Sequence, residues 1–473
     1  MINRILAVII SFGFLAVACD NPSGVDPVDL TLSVTFDESY GNLPAADVQV
    51  TMTNVTSQQA FNGSTDTEGQ VLFEDLPSGN YDIQALLTLD AGTVQSITGV
   101  LPSTDEITFN ASVANVLINP GTQVPAIELV SGRLGDLVFK QIYFAGSDRV
   151  EGALFRDQFL EIYNNSNETI YVDGLYIMGV FGNASTSRTE YVTETGQFDW
   201  NQSIGMPTDI DANADYLHAK WIYQIPGTGE EYPLEPGESI VVAQTALNHQ
   251  APYTDNGGNT VTVGDPSLTV DLSDADFEGY VGDQFPTPLA SDVDNPSVPN
   301  LRPIYIFGRD MILDNLGRDG FVLFRSDEVD GADLPAYPSP ISREIRDNTR
   351  MYPQIPIEWV IDAVETQPSP ANQIPRKLQN VLDAGYTYVP GGGYSSNSVI
   401  RLEAQRFGDR VVLKDTNNST EDFTFLERAA PRVDAPQSPN TTARYLFRTN
   451  RVVLEDPFLD NLESQWARST GRR

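Results

Sequence analysis

The chain has 473 residues, which is enough for two or three domains with sizeable hydrophobic cores. Hydrophobic residues make up 40% of it and aromatic residues 10%, a composition that is typical of a folded chain and excludes a disordered one. Its 28 basic residues against 65 acidic residues give a net charge of −37, which repels phosphate backbones and excludes nucleic acid as an expected partner.

The first 18 residues have the pattern of a secretory signal peptide. Arg4 precedes an apolar run from Ile5 to Leu15 that is too short for a transmembrane helix, and small residues precede Cys19. This arrangement resembles the lipobox of bacterial lipoproteins, in which that cysteine is lipidated; the alternative is an ordinary signal peptide with a coincidental cysteine. The resemblance implies a lipid anchor at Cys19, and residues 19–28 are predicted to be a flexible tether.

Residues 29–132 are predicted to form a small antiparallel β-sandwich. Apolar and polar side chains alternate at 30–36 and at 48–53, which is the period of a half-buried strand. Further short strands are expected at 71–73, 81–85, 106–116 and 126–130, with a tight turn at 77–79. The stretch 28–87 resembles the carboxypeptidase-regulatory or prealbumin-like module of bacterial surface proteins, which implies a spacer or adhesion stalk.

Residues 133–434 are predicted to form a larger β-sandwich with long loop insertions and few short helices, so that the fold class is mainly β. The domain opens on a predicted hairpin in which Phe159–Tyr163 and Thr169–Val172 flank an Asn-rich turn. Other strands are expected at 216–225, 239–243, 304–307 and 320–324. The polar stretches Asn183–Trp200 and Asp255–Asn300 are expected to be long loops, which are often functional.

Few segments favour helix. Pro375–Ala384 is the best candidate, because proline suits a first turn, three apolar residues share one face and Gly385 suits the stop. One helical turn is expected at Thr245–Gln250, and Glu358–Val364 reads as either a strand or a short helix. Residues 435–473 are predicted to be a C-terminal tail that contributes at most one packed strand.

Spaced segments of the main domain resemble the lamin-tail domain, an immunoglobulin-like sandwich. The matching segments are EIYNNSNETIYVDG, LEPGESIVVA, DGFVLFRSD, SVIR and DTNNSTEDF. Two departures are visible: Leu175-Tyr176 stand where that family usually has a tryptophan, and the insertions between segments are long. The resemblance implies the fold and leaves the loops open.

Most of the chain resembles the lipoprotein family called domain of unknown function 4876, found in Bacteroides-type bacteria. The segments that carry this resemblance are IYFAGS, DQFLEIYNNS, DVDNPSVPNL, IPIEWVIDAV and SNSVIR. The family has no assigned activity. The resemblance implies an outer-membrane lipoprotein at the cell surface, encoded beside a TonB-dependent transporter, and hence an accessory in nutrient or metal-complex capture.

One stretch is a candidate calcium site. Asp209, Asp211, Asn213 and Asp215 place oxygen-bearing side chains at alternate positions, as calcium-binding loops do. Ala214 stands where an EF-hand has its glycine, and no distant bidentate glutamate follows. The alternative interpretation is a solvated acidic loop. One cysteine and two histidines exclude a Cys-based metal site and a multi-His zinc site within one chain.

Enzyme motifs are absent: the sequence has no GxSxG with a plausible histidine partner, no HExxH and no P-loop. His218 and His249 lack clear partners and are interpreted as surface or satisfied histidines. Gly391–Gly393 is interpreted as a flexible loop, since no helix follows to form a phosphate cradle. A carboxylate pair for glycoside hydrolysis stays open, because 65 acidic residues offer many pairs.

The sequence therefore predicts a non-enzymatic binding lipoprotein of the cell envelope, whose ligand meets loops such as Asn183–Trp200 and Asp255–Asn300. Aromatic residues in loops on a rigid sandwich favour this reading, although core packing explains them as well. The alternatives are a structural or adhesive surface protein that binds glycan or matrix, and a glycan hydrolase. No cofactor is predicted, apart from the candidate Ca²⁺.

Overall fold

The computed structural model describes residues 27–36, 42–90, 92–94, 106–131, 137–166, 169–184, 189–326, 334–407 and 410–439. These residues form a mainly β protein, which confirms the predicted fold class. The predicted signal peptide, Cys19, most of the tether and residues 440–473 of the predicted tail lie outside the described residues. Within the described ranges, no helix has the length and apolar character needed to cross a membrane.

The first sheet lies within residues 28–131 and has its own core. Its strands are β1 (Val28–Phe36), β2 (Gln49–Asn54), β3 (Ala60–Ser64), β4 (Gln70–Leu76), β5 (Gly79–Asp90), β6 (Glu106–Ile118) and β7 (Ile127–Ser131). The alternation predicted for β1 is confirmed, since Leu30, Leu32 and Val34 are buried while the residues between them are more exposed.

The strand order is β3-β2-β5-β6-β7-β1-β4. The sheet curls so that its end strands, β3 and β4, come together. A Cβ added to Gly63 in β3 would lie 2.6 Å from the Val71 side chain in β4. The prediction of a purely antiparallel domain is wrong at one place: β1 and β7 run parallel, with Val34 opposite Ile127. The long connection from β1 to β7, which passes through five other strands, permits this parallel return.

The remaining strands form two larger sheets and three small pairs. They are β8 (Leu137–Tyr143), β9 (Phe159–Asn164), β10 (Ile170–Tyr171), β11 (Tyr176–Val180), β12 (Tyr216–Gln224), β13 (Pro233–Leu234), β14 (Ser239–Ala243), β15 (Tyr253–Thr254), β16 (Thr260–Val261), β17 (Phe277–Glu278), β18 (Arg302–Tyr305), β19 (Gly320–Phe324), β20 (Ala336–Pro338), β21 (Met351–Pro356), β22 (Val360–Glu365), β23 (Ser398–Arg401), β24 (Glu403–Phe407), β25 (Arg410–Leu413) and β26 (Phe423–Leu426).

The two larger sheets form a sandwich. One has the order β17-β14-β9-β8-β23-β26, and the other has the order β20-β21-β12-β11-β19-β22, with β18 paired to β12. A large hydrophobic core lies between them, where Phe139 of β8 meets Phe321 of β19 edge-on at 6.4 Å. The predicted domain boundary at 132/133 falls in residues 132–136, outside the described residues.

The hairpin predicted at the start of the main domain is wrong in its pairing. The strand at 159–163 exists, but β9 pairs with β8 and β14, whereas β10 pairs with β13. Asn164 redirects the chain: its Oδ1 accepts hydrogen bonds from the amide and hydroxyl of Ser166, and its Nδ2 donates to the Leu234 carbonyl at 2.7 Å. The Asn-rich turn therefore leads into a different pair of strands.

The helix predicted at Pro375–Ala384 is also wrong. The segment is an irregular loop. Arg376, which is 7% exposed, donates from its guanidinium to the carbonyls of Ala384 and Gly385, and Glu365 accepts from the amides of Lys377 and Leu378. Side-chain bonds thus satisfy the backbone groups that a helix would pair internally.

Regular helix is scarce in the described residues. The 3₁₀ turns are Thr189–Tyr191, Trp200–Gln202, Pro266–Leu268, Gly282–Gln284, Ile357–Trp359 and Pro370–Asn372, and one α-helical turn spans Ser419–Asp422. The ambiguity at 358–364 resolves into the end of a 3₁₀ turn followed by β22, while the helical turn expected at 245–250 is irregular.

The two long loops are packed rather than loose. Phe198 and Trp200 end the first loop in an aromatic cluster with Phe181 and Tyr352. The second loop sends Val270, Leu272, Phe277, Val281 and Val298 into the main core. Buried apolar side chains explain how these polar stretches hold their shape.

Candidate ligand-binding cleft

A cleft of about 290 Å³ lies where the first sheet meets the main sandwich, and we call it the junction cleft. One wall comes from β2, β5 and the turn after β2, and the other from the segment 367–390, the α-helical turn Ser419–Asp422 and β26 of the main sandwich. Its lining residues are Thr53, Gln58, Asp82, Gln84, Gln367, Pro370, Gln373, Arg376, Tyr386, Thr387, Tyr388, Pro390, Ser419, Thr420, Phe423, Thr424, Phe425 and Pro439. Junctions between structural units are favoured places for small-ligand sites.

Strand alternation builds the first wall. In β5, Tyr81, Ile83 and Ala85 are buried in the first core, so that Asp82 and Gln84 point outward from the opposite face. Thr53 of β2 is the direct cross-strand neighbour of Asp82. The register therefore gathers one carboxylate, one amide and one hydroxyl on the surface that faces the main sandwich.

Two tyrosines give the second wall its apolar character. Tyr386 and Tyr388 are half-buried, whereas Thr387 between them is buried and its amide donates to the Glu365 carbonyl at 2.9 Å. The Tyr386 amide donates to Thr420 Oγ1, which donates in turn to the Tyr386 carbonyl. These bonds fix the backbone, so that both rings line the cleft from the same extended segment.

Gln373 joins the two walls. Its Nε2 donates to Asp82 Oδ2 and to the Tyr386 hydroxyl, both at 3.0 Å. Burial raises the pKa of Tyr386, and the neighbouring Asp82 and Tyr388 add to that shift. The Tyr386 hydroxyl therefore stays protonated and can donate its own hydrogen to a ligand.

A second bond crosses the junction. Asn110 of β6 is fully buried, and its Nδ2 donates to the Thr416 carbonyl at 2.5 Å. With the Gln373–Asp82 bond, this contact sets the first sheet against the main sandwich on one side of the cleft. The first sheet thus contributes functional groups directly, beyond the spacer role that its family resemblance implies.

The chemistry of the cleft suits a neutral ligand with several hydroxyl groups. Aromatic faces and three prolines offer apolar surface, while amide and hydroxyl groups offer hydrogen bonds of both kinds. Asp82 is the one carboxylate among the lining residues. Because glycoside hydrolysis uses two carboxylates a few ångströms apart, the described lining gives no support to the hydrolase alternative.

A larger cavity, of about 450 Å³, lies beside β22 and has fewer available polar groups. Tyr216, Ile357, Ile361 and Leu382 give it mostly apolar walls. Asp362 also lines it, but both of its carboxylate oxygens accept hydrogen bonds from Arg401. Asp215, Glu358 and Asn417 complete its polar lining. We place the candidate site at the junction cleft, because its polar groups lie beside two tyrosine rings that can pack on a ligand.

Two of the four predicted calcium ligands, Asp211 and Asn213, are engaged in hydrogen bonds with neighbouring residues. Asp211 Oδ1 accepts from Asn201 Nδ2 and from the amides of Asn213 and Ala214, and the Asn201 bond is the main cause of its lowered pKa. Asn213, 9% exposed, accepts from the Trp200 amide through Oδ1 and donates to the Phe198 carbonyl through Nδ2.

Asp209 and Asp215 are exposed, and Asp215 Oδ2 accepts a 3.4 Å bond from the Asp211 amide. In the described ranges, no group of three or more His, Cys, Asp or Glu side chains is placed to hold a metal ion. The Ca²⁺ site stays a prediction, and the geometry assigns this motif to shaping the loop around Trp200.

Both histidines are buried rather than at the surface. Burial lowers the pKa of His218 to about 3 and that of His249 to about 4, so both rings are neutral. The His218 ring stacks on Trp200 with centroids 3.7 Å apart, and His249 Nε2 lies 3.1 Å from the Thr245 carbonyl. Neither lines the junction cleft.

The glycine-rich loop is fixed to its neighbour. Tyr394 and Ser396 adopt left-handed backbone, with φ near 64° and 61°, and their amides donate to the carbonyls of Ala145 and Gly146. The flexible loop expected at Gly391–Gly393 is therefore held at its C-terminal side by two backbone hydrogen bonds.

The loops predicted to bind a ligand lie elsewhere. Thr193, Glu194, Thr195 and Gln197 line a separate open pocket together with Asp211 and Asn213, and no residue of 255–300 lines the junction cleft. Their role in binding stays a prediction. The sequence did carry a signal for the cleft: two tyrosines at alternate positions before Pro390, and the polar residues of β5.

The fold and the cleft define a mainly β protein with a ligand-sized opening between a curled sheet and a two-sheet sandwich. Residues 235–430 match the model of the family described as protein of unknown function (DUF4876). The predicted resemblance to that family is therefore confirmed. The lamin-tail and carboxypeptidase-regulatory resemblances stay predictions.

Solved structures give two further likenesses. The structure of a DUF4876 family protein from Bacteroides thetaiotaomicron VPI-5482 is 24% identical, with a TM-score of 0.46, and the match covers 86% of this chain and 96% of that one. Fervidolysin from Fervidobacterium pennivorans, a keratinolytic enzyme related to subtilisin, is 14% identical, with a TM-score of 0.16, over 46% of this chain and 27% of that one. No curated protein matches.

Proposed function

We propose that this chain is a non-enzymatic binding protein of the cell envelope, and that the junction cleft takes a neutral, hydroxyl-rich small molecule such as a saccharide. The observation that carries this proposal is the lining itself, in which Tyr386 and Tyr388 face Asp82 and Gln84 across about 290 Å³. Aromatic faces pack against the C–H surface of a sugar, while amides and hydroxyls pair with its hydroxyl groups.

The location of the protein and its partner belong to the same proposal. A lipid anchor at Cys19 would hold it at the outer membrane, and a TonB-dependent transporter would receive the ligand. The signal-like N-terminus before Cys19 supports the anchor, and the transporter is what the family resemblance implies. In the adhesive alternative, the same cleft binds a glycan that is fixed to a surface. The two alternatives differ in whether the ligand is passed to a transporter.

The cleft is tested with a glycan array of neutral and anionic oligosaccharides, probed with the purified soluble chain. We expect neutral oligosaccharides to bind, and Tyr388→Ala to weaken that binding at least about tenfold, because a stacking face is lost. Tyr171→Ala is the matched control, since Tyr171 is 42% exposed and lies outside the cleft. A blank array, or equal losses in both variants, would contradict the assignment.

The partner is tested separately by isolating the full chain from detergent-solubilised envelopes. Co-purification of an outer-membrane transporter supports uptake. A chain that binds the array but isolates with matrix glycan and no transporter supports adhesion instead. Loss of lipid labelling in Cys19→Ser would support the anchor.

A further inference from the structure

Another pocket, of about 450 Å³, concentrates positive charge in this strongly acidic chain. It lies in the connection between β20 and β21, and we call it the arginine pocket. Its lining residues are Ser339, Ser342, Arg343, Glu344, Arg346, Asn348, Thr349, Arg350 and Tyr352. Three guanidinium groups thus face one carboxylate, whereas the chain as a whole has more than twice as many acidic as basic residues.

The base of this connection is held by the main sandwich. β20 and β21 pair with Pro338 opposite Met351, so the connection begins and ends side by side. Ser203 Oγ donates to the Pro338 carbonyl at 2.6 Å, and the Tyr305 hydroxyl donates to the Met351 carbonyl at 2.7 Å. Both ends of the connection therefore start from fixed positions.

The connection also has internal structure. The Ser342 amide donates to the Ser339 carbonyl, and the Thr349 amide donates to the Arg346 carbonyl. The Arg346 amide donates to Thr349 Oγ1 at 2.8 Å. These turns bring residues 342–350 back over Tyr352, whose ring stacks on Phe181 with centroids 3.9 Å apart.

The arginines are placed with donors to spare. The Arg350 guanidinium lies 4.2 Å from the centre of the Phe307 ring, and it donates to the Ile306 carbonyl at 3.4 Å and to the Tyr305 hydroxyl, which leaves further donors of the five. Arg346 pairs with Glu344, and both side chains are exposed. In the part of the chain that the structure describes, Arg343 has no ion pair or hydrogen bond from its guanidinium.

Ser339 supplies an independent indication. The residue is 8% exposed, and its Oγ is buried with no hydrogen-bond partner among the described residues. A buried hydroxyl without a partner is uncommon, because leaving it unpaired costs free energy. Here that hydroxyl belongs to a residue of the pocket wall beside three arginines.

We propose that the arginine pocket binds a tetrahedral oxyanion, a phosphate or sulfate monoester. The guanidinium fork pairs two of its donors with two oxygens of an anion, so a single arginine already satisfies a carboxylate. Three arginines with the Ser342 hydroxyl at the pocket surface, and the buried Ser339 hydroxyl behind it, provide donors from several directions, which suits an anion with three terminal oxygens. This site is separate from the junction cleft and does not depend on the function proposed for it.

The test is calorimetric titration of the purified soluble chain with inorganic phosphate, inorganic sulfate and acetate at low ionic strength. We expect phosphate and sulfate to bind and acetate to bind at least about tenfold more weakly. Arg343→Gln should weaken phosphate and sulfate binding about tenfold, and Arg343→Lys should recover only part of it, because lysine lacks the fork. Because Arg343 is exposed, neither glutamine nor lysine at this position disturbs the hydrophobic core.

Arg428→Gln is the matched control, since Arg428 is an exposed arginine outside the pocket whose guanidinium bonds to the Ser395 carbonyl. Equal binding of acetate, or an equal loss in the control, would overturn the proposal, because either result means unspecific charge attraction. Absence of any anion binding would overturn it as well.

The source of the anion is separated by two more probes, glucose 6-phosphate and vesicles that contain phosphatidic acid. Binding of the sugar phosphate without the vesicles supports a soluble ligand, and binding of the vesicles supports a lipid headgroup. Each result must be lost in Arg343→Gln to count as support.

Discussion

Arg401 shows at the scale of one residue how the acidic chain holds its main sandwich together. It is 2% exposed, and its guanidinium reaches Asp362 in β22, Asp415 and Asp422, while its Nε donates to the Phe139 carbonyl in β8. One side chain therefore connects both sheets with the 415–422 loop. Three carboxylates around one cation depend on that cation for their compensation.

We expect Arg401→Met to lower the free energy of unfolding by about 3–5 kcal/mol, because it leaves buried carboxylates without their cation. Urea denaturation measures the change. The loss should shrink at about pH 5, since burial raises the pKa of Asp362 to about 6 and that of Asp422 to about 7, and protonation removes the unpaired charge.

Arg346→Met is the control for this prediction, because Arg346 pairs with Glu344 at the surface and the two side chains are 69% and 60% exposed. Surface ion pairs contribute little to stability, so this variant should unfold almost as the parent chain does. Similar losses in both variants would show that the buried network around Arg401 does not hold the sheets together.

At the scale of single elements, close packing decides which positions accept a side chain. Gly179 in β11 lies under Trp221 of β12, and an added Cβ would stand 2.4 Å from the indole ring. Gly320 in β19 is also a strand glycine on the same sheet, but its added Cβ would meet Leu378 and Val180 at 3.5 Å. Both positions therefore lie in strands, but they differ in the room that is available for a side chain.

We expect Gly179→Ala to destabilise the chain by about 1–3 kcal/mol, since the buried indole and its strand must move. Gly320→Ala should be neutral or slightly stabilising, because alanine at ordinary contact distance reduces the freedom of the unfolded chain. Thermal denaturation of both variants tests the pair. A midpoint unchanged in Gly179→Ala would mean that the sheets are more loosely packed than the contact with Trp221 implies.

The strands with strict alternation were predictable from sequence, and the pairing partners were not. Apolar residues at every second position identify β1 and β2 by local chemistry alone. The pairing of β9 depends on Asn164 and Leu234, which are distant in the chain. The prediction of a helix at 375–384 failed for a similar reason. Arg376 and Glu365 hold the backbone of this segment through hydrogen bonds that no local sequence pattern reveals.

The candidate site was harder to predict than the fold. The junction cleft joins Asp82 to Gln373 across more than half of the chain, and each is an ordinary polar residue in its own segment. By contrast, the aspartate pattern at 209–215 is conspicuous in sequence, but its oxygens are used for local hydrogen bonds. A short motif records local geometry, whereas a cleft depends on tertiary packing.

At the scale of the whole molecule, buried carboxyl groups set the pH dependence of stability. Burial raises the pKa values of Asp157, Glu278 and Asp292 to about 7. A carboxyl with a higher pKa in the folded chain holds its proton more tightly there. Its contribution to stability is complete below its unfolded pKa and is lost as the pH rises through the folded value.

We therefore expect the free energy of unfolding to increase as the pH falls from about 8 to about 6.5. The two buried histidines act in the opposite direction, because their lowered pKa values cost stability once the pH falls below about 6.5, the ordinary pKa of histidine in an unfolded chain. Urea denaturation at the two pH values, in high salt to screen surface repulsion, measures the carboxyl effect.

Asp157→Asn tests how much one buried carboxyl group contributes to the pH dependence of the free energy of unfolding. The amide keeps an oxygen to accept from the Tyr143 hydroxyl, and it cannot titrate. The free energy of unfolding of this variant should change less with pH than that of the parent chain, and the difference is the contribution of one carboxyl group. A slope that stays the same would place the effect in other carboxyls and contradict the role of Asp157.

The parallel pairing of β1 with β7 has a mechanical consequence. β1 begins at Val28, close to the predicted tether, and β7 ends at Ser131, where the chain leaves for the main sandwich. A pull between these two points acts on opposite ends of a parallel pair, so the bonds that join 34–36 to 127–129 are loaded together in shear instead of opening one at a time. Under the proposed anchor at Cys19, traction between these two points would meet the shear geometry of this pair.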